Sequence, residues 1–452
     1  MERNMTEGKI SRQIVVFSIP IILGNIFQQL YNTTDAIIVG RLIGKDAFAA
    51  VSVANPIMSV VLFFLVGLTM GVGVLLSQQY GAGQRDKFRV QFSTGLIGGI
   101  VFTLAVAAVC IPLSGLMLRA AQTPGEILES ARQYLQIVFG GMIFSFLYNY
   151  YASALRSIGD SRTAFLYLVL SSVLNIVLDI ALITGTTLGV AAAALATVLS
   201  QAVSFVLCVF YVRKRVPMLR LGKGQWIFEK RILKDTVVFS WAAALQQTVL
   251  YFGRLLIQGT VNVHGTDMIT GYNAAIRIES FIMAFIDGTS AALAIFAGQN
   301  VGAGQWKRLK QGLYRTFLMN AVYVLITGVA MFVFAGGMIS LFVDESSPEI
   351  LRVGITYLRV MAGCYLFCSL LSAMQGFFRG VGLVKITMIA TMLQMGVRCL
   401  LALILVPRLE IWGVCISVIA GWLAVCMFNG TNCVKYFRQL AKKQGEFQTV
   451  KH

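Results

Sequence analysis

The stretch "YGAGQRDKFR" at residues 80–89 recurs as "VGAGQWKRLK" at residues 301–310, an offset of 221. Two other pairs keep nearly the same spacing. "LRSIGDSRT" (155–163) returns as "FRGVGLVKI" (378–386) at 223, and Phe17-Ser18 returns as Phe239-Ser240 at 222. Three matches in one order at one offset indicate a chain built from two copies of a unit of about half its length.

Composition says what the unit is made of. The chain has 452 residues, 57% hydrophobic and 12% charged. A soluble globular protein carries about 25% charged residues, so most of this chain does not face water. Apolar runs long enough to cross a bilayer, about 20 residues each, begin near residues 14, 48, 92, 131, 163, 188, 236, 269, 313, 353, 384 and 411. The alternating segments of about 10 residues that mark a membrane barrel are not seen. The expected fold is an all-α integral membrane protein with twelve transmembrane helices in two pseudo-symmetric six-helix lobes. An even number of spans per copy makes the repeat parallel, about an axis along the membrane normal, as in transporters that open alternately to either side. The expected divisions are an N-lobe over 1–212, a basic linker over 213–235, a C-lobe over 236–436 and a tail over 437–452.

The net charge of +18 is distributed by topology. The loops on the side of the N-terminus hold 26 Lys and Arg, eight of them between Arg213 and Lys234; the opposite loops hold four, Arg41, Lys45, Arg119 and Arg408. This is the positive-inside pattern, which places both termini in the cytoplasm. The basic surplus then reflects contact with anionic membrane lipid, with no nucleic-acid partner. The first apolar run is too long for a secretory signal and reads as a span.

The eight cysteines lie in or beside apolar spans and the only histidines are His264 and His452. Nothing has metal-ligand spacing, so the cysteines read as buried small side chains. An intramembrane enzyme would need a nucleophile–base pair or a metal; neither H-E-x-x-H nor G-x-S-x-G occurs. The chain reads as no enzyme, with no cofactor. The loop glycines Gly81, Gly83, Gly302 and Gly304 suit tight turns, and the Lys and Arg after them suit a topology anchor at helix ends or lipid phosphates. Gly67-x3-Gly71 and Gly95-x3-Gly99 suit close helix packing.

Charged groups at mid-span cost about 2.5–3.5 kcal/mol on insertion scales and usually face a cavity or a partner. The first copy has two acids well inside its spans, Asp35 in span 1 and Asp179 in span 5. Both spans run the same way, and each acid sits roughly 8–9 Å from the same end of its helix. Asn175 lies one turn deeper than Asp179 on the same face, and Thr197 in span 6 reaches a similar level. Two carboxyls with an amide and a hydroxyl suit proton exchange or a small hard cation. The alternative is local pairing, for instance of Asp35 with Asn32 or Thr33. In the second copy the positions matching Asp179 and Asn175 fall near Ala402 and Arg398. That copy carries Arg254, Arg277, Glu279 and Asp287 in its first two spans instead, with Gln246, Gln247 and Gln258 as further polar lining. Arg277 is placed to neutralise one of the acids, and a structural ion pair competes with a role in substrate binding.

On "YNTTDAIIVGRLIG" (31–44), "SQQYGAGQ" (77–84), "ALRSIGDSRTA" (154–164), "LNIVLDIALI" (174–183) and "GQNVGAGQ" (298–305), the chain resembles the MATE (multidrug and toxic compound extrusion) transporters over nearly its whole length. The resemblance implies an antiporter of the inner (plasma) membrane that expels amphipathic, often cationic, drug-like compounds in exchange for H⁺ or Na⁺, with two six-helix lobes about a central cavity. It implies a cation site at Asp35, Asn175, Asp179 and Thr197, which is also the set that a Na⁺ would use, and a bending proline at Pro20. NorM-like members place acids in spans 7 and 10, where this chain has Gln247 and Ser372, so it looks closer to the DinF-like branch. The expected partners are a small-molecule substrate and membrane lipid, the expected state a monomer. Gln246, Gln247, Arg277, Glu279 and Asp287 are the candidate polar residues of the substrate cavity. The rival is a flippase for a lipid-linked substrate, which would want cations such as Arg254, Arg277, Arg359 and Arg398 around a phosphate.

Overall fold

The computed structural model describes residues 4–222, 224–343 and 347–449, without the side chains of Asn32, Thr33, Ala36 and 443–449. Its long helices are α1 (Ile10–Leu42), α2 (Lys45–Gly81), α3 (Arg85–Ala120), α4 (Gly125–Ser157), α5 (Ser161–Gly185) and α6 (Val190–Arg215) in the first copy. The second has α7 (Lys230–Asn262), α8 (Thr266–Gly302), α9 (Trp306–Ser340) and α10 (Pro348–Gly380). The last helical stretch, Val384–Thr449, breaks at Glu410, whose φ of 48° and ψ of −125° are not helical. Its arms are α11 (384–409) and α12 (411–449). Pro407 lies just before the break; it has no N–H to give and its ring crowds the carbonyl four residues back. The count is therefore twelve helices, six in each copy, and no strand occurs among the described residues.

With α11 and α12 taken together, nine helical stretches among the described residues are long and apolar enough to cross a membrane. The two that miss that mark, α4 and α7, carry polar groups along their length, such as Arg132 and Asn149 in α4 and Gln246, Gln247 and Arg254 in α7.

The matched stretches of sequence have matched backbones. After α2, Gly83 takes a φ of 69° and Gln84 N–H bonds back to the Gln79 carbonyl at 3.1 Å; after α8, Gly304 takes 68° and Gln305 N–H bonds the Asn300 carbonyl at 2.8 Å. After α4, Gly159 sits at 87° and Asp160 N–H bonds the Leu155 carbonyl at 2.9 Å; after α10, Gly382 sits at 88° and Leu383 N–H bonds the Phe378 carbonyl at 2.8 Å. These are Schellman-type stops, in which a left-handed residue lets the chain cap the last carbonyls of the helix.

Gly81 and Gly302 do a different job from the turn expected of them. Both are helical, and a Cβ on Gly81 would collide with the Gln299 backbone while one on Gly302 would collide with the Gln78 carbonyl. The ends of α2 and α8 thus cross backbone on backbone.

Two compact units emerge, Met1–Thr248 with Ile295–Arg308, and Val249–Ala294 with Leu309–His452. In the first unit, Gly67 and Gly71 of α2 lie against the backbone of Ala244 and Ser240 in α7, so that small-residue stripe packs within the chain. Gly95 and Gly99 of α3 receive the rings of Tyr150 and Phe146 from α4, and the Tyr150 hydroxyl donates to the Phe92 carbonyl at 2.7 Å.

Within the expected basic linker, 213–235, the chain leaves α6 at Arg215 and enters α7 at Lys230. The segment between the two helices lies along α3: Ile227 N–H donates to Ser93 Oγ at 2.9 Å, and Glu229 N–H to Thr94 Oγ1 at 3.2 Å.

Arg308, expected among the basic residues that anchor topology, instead holds the N-terminal segment. Its guanidinium donates to the carbonyls of Met5 (3.2 Å), Glu7 (3.2 Å) and Gly8 (2.9 Å). Gln299 Oε1 accepts from Met5 N–H at 2.8 Å, and Gln299 Nε2 donates to the Ser157 carbonyl at 2.8 Å. Met5 is fully buried there. Gln299 and Arg308, on either side of the second GAGQ motif, thus clamp the segment from Met5 to Gly8.

Candidate functional site

Four helices of the first unit bring polar groups to one place. Asp179 and Asn175 on α5 are 0% and 1% exposed. They lie one turn apart on a face otherwise lined by Ser171 and Ser172, both buried. The other faces of α5 are Val, Leu and Ile, of which Val173, Val177 and Ile180 are exposed; the helix turns its apolar sides outward and its polar stripe into the protein. From α1, Asp35 reaches the same place, within hydrogen-bond reach of Asp179. From α6 comes Thr197, whose Oγ1 donates to the Ala193 carbonyl at 3.1 Å.

The Asn175 amide has two settings. With nitrogen toward α6, it donates to Thr197 Oγ1 at 3.3 Å. Turned over, it donates to Asp179 Oδ2 at 2.7 Å and its oxygen accepts from Thr197 N–H at 3.1 Å. The second setting is the better one, because an amide oxygen facing a carboxylate puts two acceptors together, and the network decides such assignments.

Two carboxyl oxygens are left over. Asp35 Oδ1 and Asp179 Oδ1 are buried and have no hydrogen-bond partner. Buried acceptors are normally satisfied, and those that are not call for an explanation such as an ion. Two carboxyls this close must share a proton or hold a cation between them, since bare like charges in a low-dielectric site repel strongly. Among the described residues no three His, Cys, Asp or Glu side chains converge as a metal would need. The donor set is two carboxyls with neutral oxygens, hard ligands that suit H⁺ or a small alkali cation and not a thiophilic metal. The local alternative, Asp35 with Asn32 or Thr33, involves side chains outside those described.

Two residues were not singled out beforehand. Tyr31, one turn before Asp35 on α1, is within hydrogen-bond reach of Thr197 and electrostatic reach of both acids. Tyr134 of α4, 3% exposed, lies within electrostatic reach of both acids as well. Tyr31 carried a signal, the i to i+4 spacing from Asp35; nothing in the sequence points to Tyr134.

Pro20 is buried within α1, which stays helical through it. Its missing N–H leaves the Val16 carbonyl without the usual helical partner.

The second-copy candidates divide between the two units. Gln246 (2% exposed) and Gln247 (half-buried) belong to the first unit, whereas Arg277, Glu279 and Asp287 belong to the second. Glu279 accepts from the Tyr357 hydroxyl at 2.6 Å. Arg277 neutralises neither acid. It is exposed and makes no ion pair among the described residues, and its carbonyl accepts from Ser280 Oγ at 2.6 Å. Two residues along a helix from Glu279, it points about 200° away. The cations within electrostatic reach of Glu279 are Arg398 and Arg254, and Asp287, which is exposed, has Arg254 and Arg379 within reach. At the two NorM-like positions, Gln247 is half-buried and Ser372 is buried, its carbonyl accepting from Ser290 Oγ at 2.7 Å.

The chain has clear relatives. The model of the family described as MatE matches twice, over residues 20–181 and 242–404. A Bacillus subtilis protein described as a probable multidrug resistance protein, YpnP, is 32% identical, over 84% of this chain and 84% of the relative. A Thermotoga maritima protein described as a probable multidrug resistance protein, NorM, is 26% identical over 85% and 83%. The multidrug export protein MepA of Staphylococcus aureus is 24% identical over 81% and 82%. Among solved structures, one of a MATE in the bent conformation superposes with a TM-score of 0.90 at 23% identity, covering 98% of both chains. An outward-facing multidrug resistance MATE family transporter superposes with 0.86 at 24%, covering 94% and 95%. At that identity the superpositions speak for the fold.

Proposed function

From the premise that the chain belongs to the MatE family, whose members are transporters and not enzymes and need no cofactor, we propose that it is a cation-coupled antiporter exporting amphipathic, drug-like compounds. The observation that carries this reading is the meeting of Asp35 and Asp179 from separate helices with one carboxyl oxygen each left unpartnered. The multidrug names of the relatives support the substrate class.

The coupling cation is H⁺ or Na⁺, held by Asp35 and Asp179 with Asn175 and Thr197 as neutral oxygen or amide neighbours. Its arrival removes the repulsion between the two carboxyls, and its departure restores it. That difference can drive a change of shape only if the cation binds one conformation better than another. Pro20 supports such a change as the hinge, since it interrupts the hydrogen bonding of the helix that bears Asp35. The bodies that move are the two six-helix repeats, 1–212 and 236–436. Glu279, Asp287, Gln246 and Gln247 are the polar residues offered to substrate. The location is the plasma membrane, and the charge asymmetry of the loops supports cytoplasmic termini and contact with anionic lipid. The transporter works as a monomer. Gln247 and Ser372, in place of acids, support the DinF-like branch.

Proteoliposomes loaded with a cationic dye test the reading, with a pH gradient and a Na⁺ gradient imposed in separate runs. Efflux that accelerates several-fold under one gradient or both is the expected result and names the ion. Efflux indifferent to both gradients overturns cation coupling.

A further inference from the structure

Among the described residues of the second unit, one helix crossing delivers two guanidiniums with nothing bound to them, that of the exposed Arg254 and that of the half-buried Arg398. Gly253 of α7 has no side chain, and a Cβ there would collide with Met395 of α11. Cys399 Sγ lies 3.9 Å from the Gly253 carbonyl. Met395, Arg398 and Cys399 follow each other at i, i+3 and i+4, which is one face of α11. Arg398 thus sits on the face that packs against α7, and Arg254 is the residue next to Gly253. Gly421 of α12 packs behind, where a Cβ would stand 3.4 Å from that of Arg398.

Among the described residues, neither arginine makes a hydrogen bond or an ion pair, and Arg398 Nε is buried without a partner. A buried guanidinium N–H left unsatisfied is costly and rare. The nearest acid does not relieve it. Glu279 is within electrostatic reach of both arginines, but the Tyr357 hydroxyl already holds one of its oxygens at 2.6 Å. Asp287 answers to Arg254 and Arg379, and Arg379 is itself tied to Ser290 Oγ at 2.9 Å. Among the described residues, Arg254, Arg379 and Arg398 thus have only Glu279 and Asp287 as acids within electrostatic reach, one negative charge fewer than the three cations. One turn along the same two helices, Leu256, Ile257, Thr260, Cys399, Ala402 and Leu403 line a small apolar cavity. A charged fork beside an apolar recess suits an amphipath held by an anionic head.

We propose that Arg254 and Arg398 form an anion-binding subsite, and that the exported compound carries a carboxylate or phosphate recognised there. This rests on the drug-export reading and names its substrate class. A planar guanidinium binds either anion through parallel hydrogen bonds. The anion belongs either to a soluble zwitterionic amphipath or to a lipid headgroup.

The test is ligand binding to the full-length protein purified in detergent. The probes are a fluorescent zwitterionic quinolone carboxylate and its methyl ester, which keeps the amine and loses the anion. Wild type is expected to bind the acid at least about tenfold more tightly than the ester, roughly the worth of one charge-assisted hydrogen bond. Arg254→Gln and Arg398→Gln should cut acid affinity by about tenfold while leaving ester affinity within twofold, and Arg398→Lys should recover part of the loss. A phosphatidylglycerol titration separates the sources. If it displaces the acid from wild type but not from Arg398→Gln, while phosphatidylcholine does nothing, a lipid headgroup uses the subsite; if it does not, the soluble amphipath does. Equal affinity of wild type for acid and ester overturns the subsite alone. Equal loss of both probes in the variants, with a lowered melting temperature, also overturns it and makes the arginines structural. Wild type that binds neither probe overturns the drug-export reading together with the subsite.

Discussion

Asp35 and Asp179 of the first copy have Ile257 and Ala402 as counterparts in the second, and Asn175 has Arg398. The register follows from the twin family matches, which begin at 20 and 242 and end at 181 and 404. Where the first copy gathers two carboxyls, the second has an apolar cavity flanked by arginines. At the helix ends the copies have hardly parted: Gly83 and Gly304, and Gly159 and Gly382, keep the same φ and the same backbone bonds. A left-handed stop can be filled by few residues besides glycine, so it resists change in both copies. The middle of a helix tolerates any side chain its surroundings accept. It is there that one copy became acidic and the other basic. Duplication thus supplied one scaffold twice, and the proposed division of labour, cation in one repeat and substrate anion in the other, lies in side chains alone.

The severest way to break this contrast is to copy the acid pair across. Ile257→Asp with Ala402→Asp would place two carboxyls in an apolar cavity, at a cost of roughly 2.5–3.5 kcal/mol each. The expected outcome is loss of the monodisperse peak in size-exclusion chromatography. A stable variant with an added cation site would show the second copy to be as permissive as the first.

Next in size is Asp179→Asn. The amide preserves volume and can still bond Asn175, so the melting temperature should move by only a few degrees. Gradient-driven dye efflux from proteoliposomes should fall by about a hundredfold, because a group that cannot gain and lose charge cannot couple. Undiminished efflux would return Asp179 to a structural role.

The helix ends should respond alike. Gly81→Ala and Gly302→Ala each force a Cβ into a facing backbone, an overpacking worth about 1–3 kcal/mol. Thermal denaturation in detergent should show matched losses. Unequal ones would mean that the crossing of α2 and α8 is less symmetric in energy than in shape.

The smallest effect is expected from Tyr357→Phe, which removes the hydroxyl that Glu279 accepts from and costs about 1 kcal/mol. In that variant the freed Glu279 oxygen competes for the arginines, so zwitterion affinity should drop a few-fold. An unchanged affinity would separate Glu279 from the anion subsite.

The helix count and the duplication were legible in the sequence, because apolar run length and glycine-bearing stops are local signals. The meeting of the two carboxyls proposed as a cation site was legible in part. Depth along α1 and α5 put Asp35 and Asp179 at one level, but only the structure shows how the helices are rotated about their axes, and that rotation makes the carboxyls meet. Tyr31 was within reach of the same periodicity argument. Tyr134 was not, since the packing of α4 against α5 and α6 leaves no mark in any of those segments. Arg308 misled for a related reason. A basic residue after a helix stop reads as a lipid anchor, whereas its partners are carbonyls at Met5, Glu7 and Gly8, some 300 positions away. Arg277 misled through proximity in sequence, because neighbours two apart on a helix do not share a face.

The central claim is that the Asp35–Asp179 pair holds a cation whose binding and release are coupled to the export of substrate. Cation release on drug binding tests it most directly, with purified protein in weakly buffered detergent, a pH electrode and a Na⁺ electrode, and a saturating cationic amphipath. The account predicts about one cation released per wild-type protein and none from the Asp35→Asn, Asp179→Asn double variant, which should still be folded. Undiminished release from that double variant would contradict it.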